Sequence, residues 1–218
     1  AVGLGATAFD NTNMTTEGFG DGGGGACPTG FEFFQPKQDM FFQFTVPAAG
    51  DYQFDTLGSA ADTVMSVHLG TGCAATCVQF SDDNLPVTGE SRLILAGLAM
   101  GDQVLVQVGG WGHLDIPTGV LNVSSAPAPT NDTCATPEAI SGEGAFAMDL
   151  LHPSITSSGF EGGDPVNCPA GIPANGIGDG IEGELFFAWT AQCAGDYQFS
   201  TDPTTGALDT VISIHDGA

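Results

Sequence analysis

Short runs in which apolar and polar residues take turns recur along the chain. Val104, Val106 and Val108 alternate with Leu105 and Gln107, a period of two with one face mixed. Runs of this kind predict strands over Met40–Val46, Gly50–Thr56, Thr63–Leu69, Arg92–Ala96, Gln103–Gly109 and Gly119–Val123. Turn residues separate them, and Pro47-Ala-Ala-Gly50 between the first two predicts a hairpin turn. No segment carries the 3.6-residue period of an amphipathic helix. Short strands at close, even spacing predict an all-β sandwich.

The same pattern occurs twice. Met40-Phe-Phe-Gln-Phe-Thr45 matches Leu185-Phe-Phe-Ala-Trp-Thr190, and Gly50-Asp-Tyr-Gln-Phe54 matches Gly195-Asp-Tyr-Gln-Phe199. Asp62-Thr-Val-Met-Ser-Val-His68 matches Asp209-Thr-Val-Ile-Ser-Ile-His215. Upstream, Gly18-Phe19 matches Gly159-Phe160, and Cys27-Pro28 matches Cys168-Pro169. A period of about 145 residues makes each copy a whole domain rather than a solenoid turn. The small, Pro-containing stretch from Ser124 to Thr130 reads as a linker. The expected organisation is therefore a first module over 1–126, a linker over 127–130, and the first part of a second module over 131–218. Module one lacks a counterpart of Asn131 to about Gly144, and module two lacks counterparts of about Thr71 to Val123. The chain thus reads as a window on a longer tandem array.

Composition narrows the function classes. The 218 residues hold 26 Asp and Glu against 2 Lys and Arg, a formal net charge of -24. Such a surface repels nucleic-acid phosphates and anionic membranes. No apolar run is long enough for a spanning helix. The six cysteines form no CxxC pair and no histidine stands at zinc spacing from them, so disulfides and an oxidising, extracellular setting are expected.

The repeat, once aligned, resembles the bacterial pre-peptidase C-terminal (PPC-like) domain family. The resemblance is carried by Asn131-Asp-x-Cys134-x-x-Pro137-x-x-Ile140, Glu184-Leu-Phe-Phe-Ala-Trp-Thr190, Gly195-Asp-Tyr-Gln-Phe199 and Asp209-Thr-Val-Ile-Ser-Ile-His-Asp216. In module one, Ser81-Asp-Asp-Asn84 and Val104-Leu-Val-Gln-Val-Gly-Gly-Trp111 complete it. It covers nearly the whole chain through short motifs. The chain departs from the pattern at His68 and His215, where an aromatic is expected. The resemblance implies tandem jelly-roll-like β-sandwiches in secreted or cell-surface proteins, acting as spacers or binding modules, some of them holding calcium. It also implies that the Asp62 loop approaches Asp82, Asp83 and Asn84.

Those four residues are the candidate calcium ligands, since calcium takes six to eight hard oxygens from carboxylates and carbonyls. The alternative is a solvated turn in which Asp and Asn serve local backbone bonding. The glycine loops at Gly18–Gly25 and Gly176–Gly180 lack the lysine and helix start of a phosphate cradle and read as flexible loops. Cys73 and Cys77 bracket a short loop and are expected to pair, and Cys134 can reach Cys168 within module two. The partners of Cys27 and Cys193 are expected outside the window. Asn13, Asn122 and Asn131 head glycosylation sequons. Trp111 is a candidate sugar platform or an ordinary rim aromatic.

Neither Gly-x-Ser-x-Gly nor His-Glu-x-x-His occurs, and no acid pair is marked out, so catalysis is not expected. His68 and His215, being repeat equivalents, are expected to be structural. The leading expectation is a non-enzymatic extracellular structural repeat protein that associates with copies or neighbouring repeats of itself, with a head-to-tail filament as its specific form. The alternative is a polysaccharide- or protein-binding accessory module of a larger secreted hydrolase.

Overall fold

The computed structural model describes residues 1–15, 37–72, 75–83, 89–113, 116–132, 135–150, 152–153, 155, 185–201, 212 and 214. The chain divides into two compact units between Pro127 and Ala128. Among the described residues the protein is all-β, and no helix is long and apolar enough to cross a membrane.

The described residues of unit one form eight strands: β1 (Gly5–Phe9), β2 (Lys37–Thr45), β3 (Gly50–Asp55), β4 (Thr63–Leu69), β5 (Thr76–Ser81), β6 (Arg92–Leu98), β7 (Gln103–Gly110) and β8 (Gly119–Ser125). They form two four-stranded antiparallel sheets, ordered β1-β8-β3-β6 and β2-β7-β4-β5. This is the jelly-roll order. Of consecutive strands, only β4 and β5 are hydrogen-bonded neighbours; every other connection crosses from one sheet to the other.

The predicted hairpin at Pro47–Gly50 is one of these crossings. β2 pairs with β7, while β3 pairs with β6 and β8. The reason lies in the aromatic faces of the two strands. Phe42 and Phe44 on β2, and Tyr52 and Phe54 on β3, are all buried. A flat hairpin would set them side by side on one face. The crossing stacks them across the interior instead, with Phe44 5.4 Å from Tyr52 and 5.7 Å from Phe54, ring centre to ring centre. Tilted and edge-on rings at this spacing gain attraction beyond their burial. The Tyr52 hydroxyl stays satisfied by donating to the Ala48 carbonyl at 2.8 Å.

Val104, Val106 and Val108 of β7 and Met65 and Val67 of β4 supply the rest of one inner face, opposite Leu93, Leu95, Leu121 and Val123. At the edge, Phe9 of β1 tilts against Phe42 of the other sheet at 5.7 Å.

Unit two contains β9 (Glu138–Ile140) paired in parallel with β10 (Phe187–Trp189). The Glu138 amide donates to the Phe186 carbonyl, and the Asn131 side-chain amide reaches the same oxygen at 3.1 Å. Trp189 packs edge-on against Tyr197 and Phe199, at 4.6 and 5.3 Å, and its ring N–H donates to the Gly142 carbonyl.

Two arrangements therefore occur in both units. Trp189, Tyr197 and Phe199 stand at the repeat positions of Phe44, Tyr52 and Phe54. Tyr197 donates to the Cys193 carbonyl four residues back, as Tyr52 does to Ala48. In unit one, Val2 bridges Phe44 in parallel, as Ile140 bridges Trp189 in unit two. Val2 thus fills the place of Ile140.

Candidate functional site

The loops after β3, β5 and β7 and those before β4 and β6 meet at one end of the sandwich. Alternating strand direction dictates this: β3, β5 and β7 end where β4 and β6 begin. Ser59, Ala60, Ala61, Asp62, Gly89 and Glu90 line an open cleft of about 370 Å³ there. Backbone bonds hold it. The Thr63 amide donates to Gly89 at 2.7 Å, and the Trp111 amide donates to Asp62 at 3.2 Å.

Beneath the cleft lies a buried hydroxyl cluster. Thr56 and Thr63 oxygens are 2.6 Å apart, and both accept from the Ser91 amide. The Ser91 hydroxyl lies 2.8, 3.2 and 3.1 Å from the carbonyl oxygens of Thr63, Ser81 and Asp82. These contacts tie the start of β4, the end of β5 and the start of β6 together, which fixes where the acidic side chains stand.

Asp62, Asp82 and Asp83 are close enough for their charges to act on one another. Burial, and then the charges of Asp62 and Asp83, push the Asp82 carboxyl up to about 6. Burial, with the charge of Asp83, also raises Asp62. Asp83 accepts the Gly89 amide at 2.8 Å. Asp62 and Asp82 each keep one buried carboxylate oxygen with no hydrogen-bond partner. Two unsatisfied hard oxygens in a strained acidic group suit a hard cation. Among the described residues, however, no three His, Cys, Asp or Glu side chains are grouped to hold a metal ion. Asn84, the fourth predicted ligand, lies outside the described residues. Trp111, 39% exposed, follows β7 beside this cleft.

A second polar group was not foreseen. On the outward side of the β2-β7-β4-β5 sheet, His68, Ser66, Gln107 and Asp39 are each at least nine-tenths buried. The Ser66 hydroxyl lies 2.9 Å from His68 Nε2 and donates to Gln107 Oε1 at 2.9 Å. Gln107 Nε2 in turn donates to the Asp39 carboxylate. With the Ser66 proton directed at Gln107, the His68 Nε2 carries its own proton and donates to Ser66. The relay runs from β4 through β7 to β2 and ends on the buried Asp39 side chain. Burial lowers the His68 pKa, while hydrogen bonding to Gln107 opposes this, so the ring is neutral at pH 7. The arrangement pins the register of three strands. Its sequence signal was available: Asp39, Ser66 and His68 recur as Glu184, Ser213 and His215.

The remaining predicted residues fall as follows. Cys77 is disulfide-bonded, and its partner lies outside the described residues, as do Cys73, Cys134, Cys168 and Cys27. Cys193 is an exposed free thiol. Asn13 is exposed and sits in a left-handed turn at φ 60°. Asn122 instead donates its amide to Asp55 at 2.7 Å and to the Leu57 carbonyl at 3.0 Å, and Asn131 is 5% exposed with its amide on Phe186. The loops Gly18–Gly25 and Gly176–Gly180, and Asp209 and His215, lie outside the described residues.

No protein-family model matches the chain, and neither does any curated protein.

Proposed function

We propose that this chain is a non-enzymatic structural repeat protein, secreted to a bacterial cell surface or extracellular matrix, whose PPC-like modules act as stiff acidic spacers in a head-to-tail filament. The recurrence of one aromatic corner in both units carries this reading: Phe44, Tyr52 and Phe54 in the first, Trp189, Tyr197 and Phe199 in the second. A chain that repeats its packing motif at domain length is suited to building length. The net charge of -24 keeps such modules apart from polyanions and from one another's sides. Calcium at Asp62 and Asp82, with Asp83 and Asn84 completing the oxygen set, would neutralise the end of the sandwich and stiffen its loops. Disulfides at Cys73–Cys77 and Cys134–Cys168 would staple the modules, each contributing about 2–4 kcal/mol.

Electron microscopy and light scattering of the protein from its source, in calcium and then in chelator, test this. Linear assemblies that soften on chelation are expected. A compact, monodisperse particle with hydrolytic activity would overturn it.

A second reading, polysaccharide binding, is favoured by one observation: the exposed Trp111 borders an open cleft carrying Asp62 and Glu90. An indole can stack on a sugar face while carboxylates accept its hydroxyls. A glycan array on which the wild type and Trp111→Ala score alike would dismiss it.

A further inference from the structure

We infer that unit one closes a covalent ester between the Ser66 hydroxyl and the Gln107 side chain, with His68 as the base and ammonia as the leaving group. The inference concerns residues of unit one alone and needs neither the tandem nor the filament reading.

The sheet brings the reactants together. Ser66 of β4 and Gln107 of β7 are directly paired at the centre of the β2-β7-β4-β5 sheet. Opposed residues of an antiparallel pair share a face, and so do residues two apart on one strand, which sets His68 beside them. Asp39 of β2 reaches the same amide from the other side. Exposure is 3% for Ser66, 3% for His68, 4% for Gln107 and 6% for Asp39. Ser66 Oγ is 2.9 Å from His68 Nε2 and 2.9 Å from Gln107 Oε1.

These are the parts of an acyl transfer. A serine hydroxyl is a weak nucleophile until an adjacent base takes its proton. A neutral imidazole is such a base, and burial keeps His68 neutral by lowering its pKa. A side-chain amide is a poor electrophile, and holding it against the nucleophile removes much of the barrier. Water, which would hydrolyse the ester, is kept out by the burial of all four side chains.

The step balances without a co-reactant. In the resting pattern the Ser66 proton points to Gln107 Oε1. In the reactive pattern it points to His68 Nε2, the ring's own proton sits on Nδ1, and an Oγ lone pair faces the amide carbon, one bond behind Oε1. His68 takes the proton as Oγ bonds to that carbon. The imidazolium then gives the proton to the amide nitrogen, the C–N bond breaks, and ammonia leaves, as a serine–histidine pair expels an amine. Asp39 accepts an N–H from that nitrogen, so it fixes the leaving group and faces it as positive charge develops. Ser66 and Gln107 end as an ester, while His68 and Asp39 end unchanged. The event occurs once per chain and is not turnover. The bond joins two central strands separated by 41 positions in sequence. β5 and β6 lie inside the bridged loop and would be shielded from a pull on the chain ends.

The test is the mass of the full chain, folded, aged to a constant value and then reduced to open its disulfides. A mass lower than that of the sequence by one molecule of ammonia is expected. Chymotryptic mapping should show a peptide carrying Ser66 joined to one carrying Gln107. Hydroxylamine cleaves esters and spares amides, so it should separate the two and leave a hydroxamate on Gln107. Chain held in denaturant should keep its full mass until it is refolded. Ser66→Ala, and His68→Phe with its similar bulk, should each keep the full mass of their sequences; a purely structural role for His68 would not change the wild-type mass at all. The wild-type map decides even where a variant fails to fold. A wild type at the full sequence mass overturns the inference, as does an ammonia loss that survives Ser66→Ala or maps away from Ser66 and Gln107. The four side chains are then a hydrogen-bonded clamp and nothing more.

Discussion

The Tyr197 hydroxyl donates to the carbonyl oxygen of Cys193 at 2.9 Å, and in the other unit Tyr52 donates to Ala48 at 2.8 Å. The bond closes a tight four-residue turn between an aromatic strand and the segment after it, so it sets the angle at which the chain crosses over. Tyr52 is 4% exposed, whereas Tyr197 is only partly buried. Tyr52→Phe breaks a part-buried bond to the carbonyl of the exposed Ala48 and is expected to cost up to about 1 kcal/mol. Tyr197→Phe should cost clearly less, because water reaches the vacated oxygen. Denaturant unfolding of the two variants checks the order; equal losses would mean that the corners do not differ in burial as described.

Much of unit one was legible because its strands alternate. The span Thr63–Leu69 is read without error, and β2, β3, β6, β7 and β8 differ from expectation only at their ends. β1 escaped because Gly5-Ala-Thr-Ala-Phe9 has one large apolar side chain and the alternation is faint. β5 escaped because its residues are mostly half-buried at a sheet edge. The Pro47–Gly50 crossing was misread since a four-residue turn looks alike whether its strands pair or separate. Only the aromatic faces, meeting across the interior, decide it. The His68 relay was hidden by distance along the chain: Asp39 and Gln107 are brought together by pairing between β2 and β7, which no local window contains.

Among the described glycines, Gly119 leaves the least room for a side chain: a Cβ there would run into the Phe9 ring, which leans over it from β1. Gly119→Ala must push the ring away from Phe42 and is expected to cost about 1–3 kcal/mol, as overpacking does. Phe9→Leu should relieve part of the clash, so the double variant should lose less than the two single losses combined. Strict additivity in thermal unfolding would rule out the contact as the cause.

The acidic cleft should leave a signature in pH. The folded Asp82 carboxyl titrates near 6, above its ordinary 3.8, so between these values the folded state holds more proton than the unfolded one. Stability from this group is fully present below about pH 3.8 and is lost as pH rises through about 6. His68 acts in the opposite sense: its lowered pKa means that stability is lost as pH falls below 6.5. Asp82→Asn should therefore gain stability over wild type at pH 7 in chelator, with the advantage shrinking toward pH 4. Added calcium should raise the wild-type melting temperature at pH 7 and leave Asp82→Asn unmoved. A wild type indifferent to calcium at pH 7 would remove calcium from the proposed function.

The three sequons offer different amide groups to a glycosylating enzyme. Asn122 is held in β8 by Asp55 and the Leu57 carbonyl, and substituting its nitrogen would leave one N–H for two acceptors while β3 and β8 are paired. Asn131 is buried, with its amide on the Phe186 carbonyl. Asn13 stands exposed in a turn whose left-handed backbone asparagine tolerates well. On folded protein in a host that glycosylates, a glycan mass is expected at Asn13 and at neither of the others. Glycopeptide mass spectrometry reads this directly. Occupancy at Asn122 would mean that the sugar is attached before β8 pairs, and Asn122→Gln should then remove the glycan and, by losing the short amide bridge to Asp55, lower stability by about 1 kcal/mol.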